Sequence, residues 1–426
     1  MHTISNSAPT LRPINYVNLS ILGFGLAAIT TSLGQIILPM RVLDIAPEAL
    51  KNTYLGILTF VGMATAMLVQ PVMGYLSDRT KLSWGRRKPF IIVGSVLAIP
   101  CMIGIGLSGN YIWLVITTAL VQMSANLAQS PYDAIVKDQV PQNLRGKVVS
   151  TRAVAGAGGA VTFVLLTGLL MDQHKVTVHD IWLWLAVSLP MGALVGCMIW
   201  TAVTLKDNQT GFTYSRSESE IRRHDSHPQF PWLLAAGFFF MVAGGILQTY
   251  TLFFLKDVVN LENPGAALGI LAVVVGITIL LCLMPAGILA DRIGRRPLLI
   301  FSAIIGSSGT ILFFFASNLI HVILIGIPLG IAVGIFMTAG RAMITDMVST
   351  KWPAFQMGIA NLVLLGGLAT AKLGGIAIDA LNRHGDNLGY HVLVGICAIS
   401  FLIGAVLICT IKNENAQTVH RFKSEL

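Results

Sequence analysis

Apolar residues run along this chain in blocks of about 20, separated by short segments where charge collects. Twelve blocks read as helices: about 17–40, 54–76, 89–108, 111–133, 147–171, 181–205, 231–255, 265–290, 297–316, 318–342, 355–380 and 389–411. At 1.5 Å per residue each is long enough to cross a hydrocarbon layer roughly 30 Å thick. In lipid every backbone N–H and C=O must find its partner within the segment, so a continuous apolar block is read as helix. The blocks form two sets of six, 17–205 and 231–411, joined by a polar cytoplasmic linker at 206–230. Cytoplasmic tails at 1–16 and 412–426 flank them. The first block lacks a basic leader and a small-residue cleavage site, so it is read as a span, not a removable signal peptide.

The polar punctuation repeats. Gly74-Tyr-Leu-Ser-Asp78-Arg79, with Gly85-Arg86-Arg87-Lys88-Pro89 behind it, returns as Gly287-Ile-Leu-Ala-Asp291-Arg292-Ile-Gly294-Arg295-Arg296-Pro297. Asp78 and Asp291 are 213 residues apart in a chain of 426, and Gln35 and Gln248 share that offset. Beyond the longer first loop the offset becomes 208, pairing Pro89 with Pro297, Asp133 with Arg341, Asp138 with Asp346, and Gly158-Gly159 with Gly366-Gly367. Chance gives one such match among apolar segments, not a series in one register. Each set has six spans, so the two copies enter the membrane in the same direction. The expected fold is an all-α polytopic membrane protein of twelve transmembrane helices in two parallel-repeat six-helix bundles.

Composition changes the picture only by hardening it. The chain is 54% hydrophobic and 11% charged, with a mean hydropathy of +0.75. So few charges cannot cover a water-facing surface, and the surface must meet lipid. The net charge of +9 invites a nucleic-acid reading, but its distribution excludes one. With both termini inside, 22 Lys and Arg fall at the inner face and five at the outer, with Lys372 inside a span. That bias orients the chain with both termini in the cytoplasm, in a cell's inner membrane.

Candidate chemistry is sparse. Cys101, Cys197, Cys282, Cys397 and Cys409 all lie in spans without paired spacing, so they read as structural thiols. His224 and His227 form the one tight histidine pair, in the polar linker, and read as solvated. No phosphate-binding loop, Gly-x-Ser-x-Gly or His-Glu-x-x-His is present, and no soluble catalytic domain fits between the helices. Neither an enzyme nor a cofactor or metal site is expected. Glycines in the fifth and eleventh spans permit close helix contact, and Pro71, Pro131, Pro285 and Pro328 are expected kinks.

The repeated Asp-Arg loops resemble the signature of the major facilitator superfamily, whose halves are parallel repeats. Val69-Gln-Pro-Val-Met-Gly-Tyr-Leu-Ser-Asp78-Arg79 with Gly85 to Phe90, and Asn126-Leu-Ala-Gln129-Ser-Pro131 with Ala134 and Asp138, are similar to sucrose-type and glycoside-pentoside-hexuronide cation symporters. This closer likeness covers residues 30–140. It implies the major facilitator fold, alternating access, a sugar or glycoside as solute, and proton or sodium coupling. The sequence departs from the sucrose branch where an aspartate is implicated in proton coupling, since Gln122 stands there, and just after the proline, where Asp133 replaces an arginine. Arg341-Ala-Met-Ile-Thr-Asp346 keeps the arginine form in the second repeat.

Two groups of site residues follow. In that superfamily helices 1, 4, 7 and 10 line the cavity, which makes Gln35, Gln122, Asn126, Gln129 and Gln248 the candidate solute contacts. Amides donate and accept, which suits neutral polar solutes; they also serve as glue between helices. Gln122, Asn126 and Gln129 share a helix face by their spacing. The candidate gating and coupling residues are Asp78, Arg79, Arg86, Arg87, Asp133 and Asp138 in the first repeat, and Asp291, Arg292, Arg295, Arg296, Arg341 and Asp346 in the second. Asp133 and Arg341, in equivalent places, are candidates to pair across the pseudo-two-fold axis. Arg152 and Lys372 read as snorkelling side chains or as further groups facing the cavity. The partners expected are a small solute, a coupling cation and the bilayer, with the protein a monomer. Drug or metabolite efflux, and a non-transporting assembly factor on the same fold, are the other readings open to this sequence.

Overall fold

The computed structural model describes residues 13–80, 82, 85–140, 144–177, 179–205, 228–348 and 353–411. The linker and both tails lie largely outside these residues, His224 and His227 among them. Among the described residues there is no strand. Twelve helices are long and apolar enough to cross a membrane. We number them α1 (Tyr16–Ile45), α2 (Glu48–Arg79), α3 (Lys88–Gly106), α4 (Tyr111–Val136), α5 (Lys147–Thr177), α6 (Asp180–Thr204), α7 (Phe230–Asp257), α8 (Pro264–Ile293), α9 (Arg295–Phe315), α10 (Leu319–Met347), α11 (Gln356–Asn382) and α12 (Leu388–Cys409).

Local sequence sets several boundaries identically in the two repeats. Asn110 caps α4 by accepting from the Trp113 N–H at 2.9 Å, and Asn318 caps α10 by accepting from the His321 N–H at 2.9 Å. Gly85 and Gly294 end the signature loops with φ of +107° and +92°, a region that side chains avoid. Pro71, Pro131, Pro285 and Pro328 each sit inside a helix that continues past them. Two spans contain a π segment, Leu33–Ile37 in α1 and Phe336–Gly340 in α10. Hydroxyls just before or inside them donate to carbonyls four residues back, Thr30 to Leu26 at 2.8 Å and Thr338 to Gly334 at 3.0 Å. Such back-bonding competes with the helical ladder and bends it.

By contact the chain forms two compact units. Unit 1 is Met1–Pro47 with Val61–Arg216, and unit 2 is Glu48–Phe60 with Ser217–Leu426. Within unit 1, α1 packs on α5 and α6, and α3 packs on α4 and α6. Within unit 2, α7 packs on α11 and α12, and α9 packs on α10 and α12. The same four pairings therefore recur. Glycine sets the closest of them. A Cβ on Gly159 would overlap the Phe24 carbonyl, and one on Gly367 would meet the Phe238 carbonyl at 2.5 Å. Only glycine lets α5 lie on α1, and α11 on α7, at this distance.

Contact divides the chain differently from the sequence repeat at one place, residues 48–60. The first turns of α2 group with unit 2 because two acids there hold its polar start. Asp379 accepts from the Asn52 side chain at 2.8 Å and from the Thr53 backbone N–H at 2.6 Å. It thus caps α2 from outside that helix, where a carboxylate is favoured by the free N–H groups. Asp257 pairs with Lys51 at 2.7 Å and accepts from the Tyr390 hydroxyl at 2.5 Å.

Candidate functional site

In unit 1 the signature loop is a built charge cluster. Arg87 is 4% exposed, and its contacts include Asp78 at 2.6 Å, Asp138 at 2.9 Å and the Ser77 hydroxyl at 2.9 Å. Arg86 adds a second cation on Asp138 at 2.7 Å. Asp138 lies at the end of the α4 helix, which runs on to Gln139, so the loop is tied to α4. Burial pushes the Asp138 carboxyl up, but the hydrogen bonds from Arg86 and Arg87 outweigh it and hold it below its ordinary value. Arg79 takes no part and lies over the Tyr75 ring at 4.3 Å.

Unit 2 repeats half of this arrangement. Arg295 pairs with Asp346 and donates to the Ala342 carbonyl at 2.8 Å, the counterpart of Arg87 on Asp138 in the 208-residue register. Arg296 instead caps the end of α12, donating to the carbonyls of Ile408 at 3.3 Å and Cys409 at 2.5 Å. Asp291 and Arg292 make no ion pair among the described residues. The arginine–aspartate pair to the following helix end therefore recurs, while the ion pair of Asp78 does not recur at Asp291 among the described residues.

The candidate solute contacts on α4 share one face. The Asn126 side chain donates to the Gln122 backbone carbonyl at 2.8 Å, and Gln129 donates to both oxygens of Asp133 at 2.9 and 3.0 Å. Gln122 is half-buried, and a Cβ on Gly62 of α2 would meet its Cγ at 3.3 Å. Gln35 lies half-buried in the α1 π segment, beside Gly34, where a Cβ would meet open space. In unit 2, Gln248 is exposed on α7, one turn from Gly244, where a Cβ would again meet nothing. Arg341 is exposed and follows directly on the α10 π segment. Such π segments concentrate at functional sites.

Asp133 has a second neighbour inside unit 1, the Arg152 guanidinium at 3.9 Å. Arg152 does not snorkel. It lies 3.7 Å from the Tyr132 ring centre and donates to the Leu19 and Tyr132 carbonyls, each at 2.9 Å. The Tyr132 hydroxyl donates toward Leu19 and Ser20 carbonyls at 3.0 Å and accepts from the Gly23 N–H at 3.1 Å. These groups satisfy a turn at Leu19–Ser20 where α1 is interrupted, which no sequence spacing announces.

Sequence reasoning missed the acids Asp257 and Asp379 and underrated Lys372. Both acids stand near the ends of spans, where a charge looks solvated. Lys372 does not snorkel: its ammonium donates to the Thr249 hydroxyl of α7 at 2.6 Å. The signal available was its depth in an apolar span.

A family model described as MFS/sugar transport protein matches residues 21–352. Among curated proteins, the multidrug resistance protein MdtG of Serratia proteamaculans is 22% identical, over 94% of this chain and 95% of its own length. MdtG of Salmonella arizonae is 24% identical, over 88% of this chain and 91% of its own. Among solved structures, a variant of the nucleoside transporter NupG superposes with a TM-score of 0.72 at 12% identity, over 93% of this chain and 100% of the other. A D-xylose-proton symporter superposes with a TM-score of 0.71 at 15% identity, over 92% and 96%. At these identities the likeness is one of fold.

Proposed function

The chain belongs to the MFS/sugar transport protein family, and from that premise we propose that it carries a sugar or glycoside across a cell's inner membrane by alternating access, coupled to a cation. The observation that carries the solute reading is the α4 face on which Gln122, Asn126, Gln129 and Asp133 lie together, with Gln129 bonded to Asp133. Polar groups at this depth are expensive in lipid and are kept where they meet water, partners or a solute. Gln35 in unit 1 and Gln248 in unit 2 each add an amide near a glycine where a Cβ would meet open space. Asp133 is the coupling carboxylate in this reading. Arg152 attracts its charged form, and arrival of a cation or proton competes with that contact. The signature loops act as clasps between helix ends, made and released as the protein changes state. Both termini are cytoplasmic and the protein acts as a monomer.

Drug efflux is the second reading, favoured by the MdtG relatives, which match nearly the whole chain. Uptake into proteoliposomes separates the two. A radiolabelled sugar panel and a set of lipophilic cations are each tested with and without proton and sodium gradients. Gradient-driven sugar accumulation is the expected result. Drug movement with no sugar uptake replaces the proposal by efflux.

A further inference from the structure

Lys372 lies ten residues from the nearer end of α11, Asn382. At 1.5 Å per residue that is about 15 Å, beyond the reach of a four-carbon stem to the interface. Its position is built. The α11 helix breaks at Leu373, ahead of Gly374 and Gly375, which frees the Lys372 carbonyl and the Gly375 N–H. The Tyr250 hydroxyl of α7 serves both, donating to the carbonyl at 2.5 Å and accepting from the N–H at 2.7 Å. Thr249, next to Tyr250, donates its own proton to the Gly245 carbonyl at 2.7 Å. Its lone pairs are thereby turned to the ammonium.

An ammonium has three donors, and Thr249 accepts from one of them. No carboxylate pairs with Lys372 among the described residues. Of the acids toward that end of unit 2, Asp257 is engaged by Lys51 and Tyr390, Asp379 by Asn52 and Thr53, and Glu48 by Lys51. A cation held at this depth without a counter-ion is strongly disfavoured unless one arrives from outside. Gln248 is exposed beside Thr249 on α7, and Asn361 is exposed three turns away on α11, with Leu365 and Leu368 on the face between it and Lys372.

We propose that Lys372, set by Thr249 and Tyr250, is the anion-recognising group of the solute site, and that the transported solute carries a carboxylate. This rests on reading the chain as a carrier of small polar solutes and narrows it to acidic ones. The Lys372 donors left over hold the carboxylate, with the Gln248 amide beside them for a neighbouring hydroxyl.

The test uses full-length protein purified in detergent, with thermal stabilisation as readout and solute counterflow in proteoliposomes as a second. The probes are glucuronate, gluconate and benzoate, each against its neutral amide, together with methyl glucoside. Lys372→Gln is expected to raise the half-saturating carboxylate concentration at least about tenfold, the worth of a charged hydrogen bond. Lys372→Arg is expected to retain part of that affinity, and the neutral probes to change less than about twofold in either variant. Size-exclusion profiles matching the wild type establish that both variants fold. A carboxylate effect equal in wild type and Lys372→Gln, or no carboxylate effect at all, overturns the inference. Methyl glucoside binding without acid binding does so while leaving the sugar reading intact. Lys372-dependent binding of benzoate alone upholds the inference and removes the sugar.

Discussion

Arg87 carries the largest local load of any single loop side chain, bridging Asp78, Asp138 and Ser77 while almost fully buried. Its removal leaves Asp138 with Arg86 alone and opens space under the loop. Arg87→Ala is expected to cost on the order of 3 kcal/mol of stability, read as a lowered unfolding temperature. Arg79→Ala, which loses only a stack on Tyr75, should cost far less. Asp138 gives the cluster a pH signature. Its folded value is depressed, so its stabilisation is complete above the ordinary carboxylate range near pH 4 and is lost as pH falls through the folded value. The wild type should therefore lose unfolding temperature on acidification below about pH 4, and Asp138→Asn should start lower and lose less over that window. Parallel pH profiles for the two proteins would remove Asp138 from this role. The sequence marked these residues by their repetition. Which acids each loop engages was not legible, because Asp78 and Asp291 sit in near-identical motifs and only Asp78 has an ion pair among the described residues.

At the scale of elements, the pair α1 with α5 depends on Gly159, and the pair α7 with α11 on Gly237, Gly245 and Gly367. Gly158 and Gly159 look interchangeable in sequence but differ in space. A Cβ on Gly158 would touch the Phe24 ring at an ordinary 3.8 Å, whereas on Gly159 it would overlap the Phe24 carbonyl. Gly158→Ala should leave size-exclusion recovery and unfolding temperature unchanged. Gly159→Ala should lower both, since α1 and α5 must separate, at a cost of about 1–3 kcal/mol or more. Similar behaviour of the two variants would mean that α5 lies differently on α1. The helices themselves were readable as apolar blocks, and α2 shows what was not. Its start belongs by contact to unit 2, because Asp257 and Asp379 satisfy Lys51, Asn52 and Thr53 there. Those partners are more than 200 residues away in the chain, a distance over which no periodicity speaks.

For the whole molecule, the proposed orientation follows from where lysine and arginine collect. Single cysteines replacing Thr80 and Thr177 in a cysteine-free background should react with a membrane-impermeant reagent from opposite sides, Thr80 from the cytoplasm. Labelling of the Thr80 position from outside would invert the topology. The proposed coupling role of Asp133 has its own measurement. Asp133→Asn removes the charge while keeping a group that Gln129 can bond. It should abolish accumulation of solute against a gradient and leave exchange of solute intact. Accumulation by Asp133→Asn at the wild-type level would move coupling to another group.

By itself the sequence determined the class of fold, the duplication and the loops that repeat. Each of these is written in short-range patterns: block length against bilayer thickness, and the same charged motif at half-length. It also marked the α4 face, since residues three and four apart must share a side of a helix. Tertiary structure alone decided the partners. Lys372, left by the sequence between snorkelling and facing the cavity, is held by Thr249 of α7 and has no acid among the described residues. Arg152 became the cap of an interrupted α1 because α4 and α5 meet there. A side chain's chemistry in lipid is set by what lies beside it, and neighbours from distant helices are settled only by packing.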